Sequence, residues 1–258
     1  AIILFMVIVG GLTRLTGSGL SITEWQPIMG TLPPLSEAAW MDAFEKYKQI
    51  PQYAQENAGM TLEAFKNIFW WEWGHRFLGR FLGLFFLLPF IWFAATGAIQ
   101  RKEWPRFVLL FVLGGLQGAI GWWMVSSGLE TRVYVAPYRL AIHLGAAVIL
   151  LGAMGWTALD YLRPARSGWA PRPTLGFIAL IYAQIILGAL VAGLHAGLIY
   201  NTWPDIDGGF IPQDAFFYAP WWHNFFENPA LAQFNHRMLA YGIAIAVVPL
   251  YLSAIRQP

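Results

Sequence analysis

Long apolar runs separated by short polar segments dominate the chain. A membrane-spanning helix needs about 20 largely apolar residues. The candidates are Ala1 to about Leu12, Ile68–Ile99, Phe107–Ser126, Leu140–Leu159, Thr174–Ile199 and Phe234–Ile255. The first is too short to span and is expected to continue ahead of Ala1, with no signal peptide. Strands of a membrane barrel would alternate with period two, whereas these runs are continuous. The pattern therefore predicts an all-α polytopic membrane helix bundle with about six spans. Between Ser36 and Pro51, Trp40, Ala43, Phe44 and Tyr47 recur at helical spacing. That stretch is either an amphipathic helix on the membrane surface or a helix packed on a small core within its own loop.

Composition agrees with this reading. Hydrophobic residues make up 57% and charged residues 12%, against about 25% charged in soluble domains. A net charge of +2 gives no reason to expect nucleic acid, so the expected surroundings are a lipid bilayer. The chain has no Cys, which excludes disulfides, thiolate metal sites and cysteine nucleophiles. Basic residues cluster after the even-numbered spans: Arg101, Lys102 and Arg106, then Arg163, Arg166 and Arg172, then Arg256. The connection Asn201–Ala230 has no Lys or Arg. By the positive-inside rule the even exits face the cytoplasm or matrix. Loops 14–67 and 201–230 then face the periplasm or intermembrane space.

Two stretches resemble each other. "GGLTRLTGSGLSITEWQPIMG" begins at Gly10 and "GALVAGLHAGLIYNTWPDIDG" at Gly188. An offset of 178 pairs Gly10 with Gly188, Leu20 with Leu198, Trp25 with Trp203 and Gly30 with Gly208. Each is followed by a loop and a span that opens with a His-Arg pair, in "EWGHRFLGRFLG" and "QFNHRMLAYGIA". Spans one and two thus repeat as spans five and six, in the same orientation. A complete second half would need two more spans, so the chain is expected to be truncated or a fragment. Residues 1–163 are assigned to an N-terminal half and 164–258 to an incomplete C-terminal half.

His75, His143 and His236 fall at one depth, each at the same-side end of its span. Ionisable residues inside a membrane are costly and point to function. Steps of four residues inward lead to Gly79 and Gly83, to Ala147, and to Ala240 and Ala244. Residues four apart share a helix face. Each His therefore heads a track of small side chains, which gives a flat macrocycle clearance, although such tracks also serve plain helix packing. Arg76, Arg139 and Arg237 accompany the histidines and could pair with the propionates of a heme. Arg80 is expected to snorkel to the interface. Zinc would want three or four clustered ligands. A bis-imidazole heme needs one His from each of two helices, as His75 and His143 would supply. His236 would be one ligand of a second heme. His195 and His223 are expected to be structural or interfacial.

Glu72 precedes His75 by one helical turn, and its counterpart in the second copy is the neutral Gln233. A carboxylate at one heme edge alone could take a proton in a reaction. The plainer role is a salt bridge to Arg76 or Arg80.

The "ExxHR" of Glu72–Arg76, the "NHR" of Asn235–Arg237, "GLTRLTGSGLSITEWQPIMGTLPPL" and "GLIYNTWPDIDG" together resemble the heme A synthase family. The likeness is greatest to its cysteine-free mitochondrial and alphaproteobacterial subtype. The resemblance implies eight spans in two pseudo-symmetric four-helix halves, the N-terminal one for the substrate heme O and the C-terminal one for a heme b. It implies an oxidoreductase that turns the methyl at ring position eight of heme O into a formyl group by successive hydroxylations. His75, His143 and His236 would ligate iron and Glu72 would be the catalytic acid. It also implies heme A for cytochrome oxidase assembly, heme O delivered by a heme O synthase, and a bacterial or mitochondrial inner membrane. Homo-oligomers are possible on this reading. A b-type electron-carrying cytochrome is the alternative, and a transporter with a parallel repeat is a third.

Overall fold

The computed structural model describes residues 2–162 and 172–255. Arg163, Arg166 and Arg256, and the boundary at residues 163 and 164, lie outside the described residues. The elements in order are α1 (Ile2–Leu15), α2 (Glu37–Tyr47), α3 (Pro51–Glu56), α4 (Leu62–Ala95) and α5 (Trp104–Ser126). They continue with α6 (Pro137–Leu162), α7 (Arg172–Gly193), α8 (Ala196–Ile199), α9 (Asn224–Glu227) and α10 (Pro229–Ile255). Helices α4, α5, α6, α7 and α10 are long and apolar enough to cross a membrane, whereas α1 is a shorter apolar helix of 14 residues. The protein is a polytopic helical bundle, with apolar side chains such as Leu84, Leu88 and Trp92 left exposed along α4.

The helix ends follow local chemistry. Helix α4 starts six residues before the apolar run because the Thr61 side chain accepts from the Ala64 N–H at 3.2 Å. It stops where Gly97 takes a left-handed φ of 74° and the Ile99 N–H reaches back to the Phe93 carbonyl. At 34 residues it is about 50 Å long, so its first turns project beyond a bilayer core about 30 Å thick. Apolar periodicity runs Thr174–Ile199 together. The backbone instead breaks between α7 and α8, where His195 takes φ 54°. Helix α10 begins at Pro229, capped by Asn228 Oδ1, which accepts from the Ala230 and Leu231 N–H groups.

The chain divides into two compact units, Ala1–Ala136 with Ile149–Trp156, and Pro137–Val148 with Thr157–Pro258. In the first, Ile3, Leu110 and Leu150 form a buried cluster along the apolar helices. Helices α2 and α3 fold over the start of α4, where Leu20, Phe44, Tyr47, Ile50, Phe65, Phe69 and Val125 make a second core. The amphipathic stretch thus packs on a core of its own loop, the second of the two sequence alternatives. The Tyr47 hydroxyl donates to Gln52 Oε1 at 3.0 Å and accepts from Asn57 Nδ2 at 2.6 Å. In the second unit, Ala141, Ala189, Leu190 and Ala232 bring α6, α7 and α10 together. Gly145 permits this approach, because a methyl group there would stand 2.6 Å from Ile186 Cδ1.

Burial holds the Tyr47 hydroxyl above its ordinary pKa of 10.0, with the Asn57 hydrogen bond opposing part of that shift. The folded state therefore keeps this proton more tightly than the unfolded chain. The resulting stability is full below about pH 10 and is lost as pH rises through the folded value. Tyr47→Phe should cost about 1–2 kcal/mol near neutrality by orphaning the Asn57 amide, and it should flatten the alkaline slope. Unfolding midpoints against pH, in detergent, check both, and an unchanged slope would show that Tyr47 is not the group responsible.

Candidate functional site

Helix α4 presents two faces at its loop end. His75 lies on one, Trp73, Arg76 and Arg80 lie on the other, and Glu72 stands between them, one turn from both His75 and Arg76. His75 rests against α1 at Gly10, where a methyl group would stand 3.1 Å from the imidazole Nε2. His236 on α10 rests against α7 at Gly188, where a methyl group would stand 3.1 Å from its Cε1. Gly10 and Gly188 are the residues that open the two sequence copies. Each imidazole is seated where only a hydrogen occupies the facing Cα. Below His75, a side chain on Gly83 would meet open space, and one on Gly79 would reach Met6 Cε at 3.7 Å.

The arginines beside these histidines do matching work. Arg76 donates to the Ile22 carbonyl at 2.9 Å and the Glu24 carbonyl at 3.2 Å. Arg237 donates to the Tyr200 carbonyl at 3.0 Å and the Thr202 carbonyl at 2.6 Å, and also to Asp205. Tyr200 and Thr202 follow Ile22 and Glu24 by the same offset of 178. In each copy a guanidinium on the second helix clamps the backbone that leaves the first. A planar fork with five donors is suited to two diverging carbonyls.

The copies part at the turn before the histidine. Glu72 is 4% exposed and accepts from Arg76 Nε at 2.6 Å. Of the two partners considered from sequence, the carboxylate takes Arg76. Gln233 donates to the Tyr200 carbonyl at 3.1 Å, so its amide serves the loop. A second difference was not legible in the sequence. Arg80 donates to the carbonyls of Pro27 and Gln26 at 2.8 and 2.9 Å and so holds the loop. Tyr241, five residues after His236 as Arg80 is after His75, accepts from Trp203 Nε1 at 2.8 Å.

His143 and Arg139 lie one turn apart on α6, and both belong to the second compact unit, as do His236 and Arg237. The Arg139 guanidinium stands 5.9 Å from the Tyr138 ring centroid. Glu72, His75 and Arg76 belong to the first unit. Sequence reasoning missed Gln184 on α7, whose amide nitrogen donates to the His236 carbonyl at 3.1 Å and lies 3.4 Å from its Nε2. The His236 Nδ1 is buried with no hydrogen-bond partner. At offset 178 Gln184 pairs with Met6, so the repeat carried no sign of it.

Fold and site define a multi-pass helical membrane protein with histidines seated against glycine at the loop ends of paired helices. The comparisons with known proteins are more specific. A family model described as cytochrome oxidase assembly protein matches residues 1–258, and the chain belongs to that family. It is 54% identical over 252 residues to a heme A synthase of Parvibaculum lavamentivorans, covering 96% of this chain and 73% of the relative. It is 58% identical over 248 residues to a heme A synthase of Bradyrhizobium sp. strain BTAi1, covering 94% and 68%. A heme A synthase of Bradyrhizobium diazoefficiens is 51% identical over 262 residues, covering 100% and 73%. No solved structure matches.

Arg76→Ala would leave the buried Glu72 carboxylate unpaired, and breaking such a pair costs about 3–5 kcal/mol. Arg237→Ala removes only carbonyl contacts and should cost less, about 1–3 kcal/mol. Thermal unfolding of the two variants in parallel checks the order. Hydrogen exchange should rise at 21–27 in the first and at 200–206 in the second, and equal losses of stability would contradict the asymmetry.

Proposed function

We propose that this chain is a heme A synthase that oxidises the methyl at ring position eight of heme O to a formyl group. Its membership of a cytochrome oxidase assembly family and its likeness to heme A synthases support that reaction. One structural observation carries it to a residue: a buried carboxylate lies one turn from a glycine-seated histidine in one copy of the repeat and is replaced by an amide in the other. Two equivalent histidine sites of which one holds an acid suit an enzyme with one reacting heme and one electron-passing heme.

The substrate is heme O. His75 and His143 are proposed as iron ligands, each with small residues inward on its own helix, Gly79 and Gly83 for the one and Ala147 for the other. Glu72 is the catalytic acid–base group: each hydroxylation, written with water as the oxygen source, turns a methyl C–H into C–OH and releases two electrons to an external acceptor and two protons, one of which Glu72 takes. Arg76 holds one carboxylate oxygen and so orients the group. Two successive hydroxylations give a geminal diol, which loses water to leave the formyl group. Arg76 and Arg80 hold the loop 21–27 against this end of α4 through its carbonyls.

The residues of the second copy fit the holding of a resident heme b. His236 has a buried ring nitrogen without a hydrogen-bond partner, and Ala240 and Ala244 lie below it. Bound there, heme b would supply one-electron transfer. His236 would ligate and Gln184 would steady the ligand. Arg139 and Arg237 are proposed to face heme propionates, with Arg237 already fixed by loop carbonyls. The two sites are proposed to belong to two pseudo-symmetric halves, 1–163 and 164–258. Both face the periplasm or intermembrane space from an inner membrane. Heme O synthase is the proposed source of substrate, and association between copies is compatible with the exposed apolar helices.

The ion pair between Glu72 and Arg76 favours a second reading, in which the carboxylate is structural and the protein is an electron-carrying b-type cytochrome. Extracted hemes separate the two. The protein, expressed with a supply of heme O, should yield heme A. Glu72→Gln should accumulate heme O, with turnover reduced about 10²- to 10⁴-fold. Heme b alone in both proteins would establish the carrier instead.

A further inference from the structure

The two long loops treat their aromatic residues in opposite ways. In the first, Phe44 and Tyr47 are buried in the loop's own core. In the second, residues 215–226 read "AFFYAPWWHNFF". Phe216, Phe217, Trp221, Trp222, Phe225 and Phe226 are all exposed, Phe217 at 75% and Trp221 at 65%. The Trp221 and Phe225 rings pack edge to face, with centroids 5.8 Å apart. An exposed apolar patch of this kind marks contact with a membrane or another protein.

Polar groups fill the inside of the segment. Asn224 is buried. Its side chain accepts from the Tyr218 N–H at 2.9 Å and donates to the carbonyls of Tyr218 at 2.9 Å and Trp221 at 2.8 Å. The buried Asn228 amide donates to the Asp214 carbonyl at 2.6 Å and to Asn224 Oδ1 at 2.9 Å. The N–H groups of Ala215 and His223 reach the carbonyls of Pro212 and Pro220. Backbone groups that water could satisfy are thus satisfied within the loop, while the rings turn outward. A segment placed where water is scarce needs that arrangement.

Charge and depth favour lipid over protein as the covering partner. Residues 215–226 contain no Asp, Glu, Lys or Arg. Insertion therefore desolvates no formal charge, and the segment offers a protein partner no ion pair. Trp and Tyr rings settle at the headgroup level of a bilayer. Helix α10 has 27 residues and is about 40 Å long, close to the roughly 40–45 Å of a hydrocarbon core with its headgroup regions. Its start at Pro229 thus reaches headgroup level, and the aromatic segment ends just before it.

We propose that residues 215–226 insert their aromatic rings into the headgroup region of the bilayer, as an interfacial anchor beside the helix that carries His236. The anchor holds whichever reaction the histidines serve. With no Lys or Arg from 201 to 230, it rests on apolar insertion and not on attraction to anionic headgroups.

The chain has no Cys, so one introduced Cys takes a nitroxide label at one place. Phe217→Cys, Trp221→Cys and Phe225→Cys are compared with Gln213→Cys, an exposed polar position of the same loop. Each is prepared as the whole protein in phosphatidylcholine nanodiscs. Power-saturation electron paramagnetic resonance then reads the label's access to oxygen, which concentrates in lipid, and to a nickel chelate, which stays in water. The ratio of oxygen to nickel access should be several-fold higher at the three aromatic positions than at 213. It should not change when phosphatidylglycerol is added to the lipid. Ratios equal to that at 213 would place the segment in water and overturn the proposal. Labels shielded from both reagents would show that protein covers it, and insertion only with phosphatidylglycerol would show an electrostatic origin. Either result would also overturn it. The three positions report independently, so loss of one variant to misfolding leaves the others to decide.

Discussion

The site depends on a guanidinium placed directly after a histidine. On an α-helix, neighbouring residues point about 100° apart. One of the pair can therefore face the helix packed alongside while the other reaches the loop returning from it. Arg76 and Arg237 use that geometry to bind the backbone of 22–24 and 200–202. The loop following α1 or α7 is thereby tied to the start of α4 or α10. The tie fixes where the first helix of each pair ends relative to the histidine on the second, and brings Gly10 and Gly188 against the imidazoles. Without a side chain at those two positions the rings sit close to the neighbouring backbone. With one, ring or helix would have to move.

Against that shared frame, the copies differ in the residues around each histidine. Glu72 against Gln233 sets a buried carboxylate beside one histidine only. Arg80 against Tyr241 adds a second clamp and an unneutralised cation to the same copy. Gln184 against Met6 adds an amide beside His236 instead. These substitutions make one copy acidic at its histidine and the other neutral. That division fits a reacting site and an electron-transfer site better than two identical sites would.

Much of this was legible in the chain. Continuous apolar runs located the spans, since only helices satisfy their own backbone across such lengths in lipid. The offset of 178 paired Gly10 with Gly188 before any contact was known, and the pairs Ile22–Tyr200 and Glu24–Thr202 proved to be clamped alike. Helix ends were less legible, because Thr61, Gly97 and Asn228 act through single hydrogen bonds or one left-handed residue, not through periodicity. The role of Arg80 was hidden because its partners are carbonyls of a loop 53–54 residues away, and carbonyls leave no mark in a sequence. Packing of α2 on its own core could not be separated from binding to a membrane surface, since both need the same apolar stripe.

The claim that the seated histidines hold porphyrin iron is tested most directly by the low-temperature electron paramagnetic resonance spectrum of the purified, heme-loaded protein. His75→Gly and His236→Gly variants are compared with the wild type, with and without added imidazole. The account predicts that each substitution removes or shifts a different low-spin ferric signal, and that imidazole restores it by filling the vacated space beside Gly10 or Gly188. Spectra that keep every signal in both variants would show that the iron is held elsewhere, and would contradict the account.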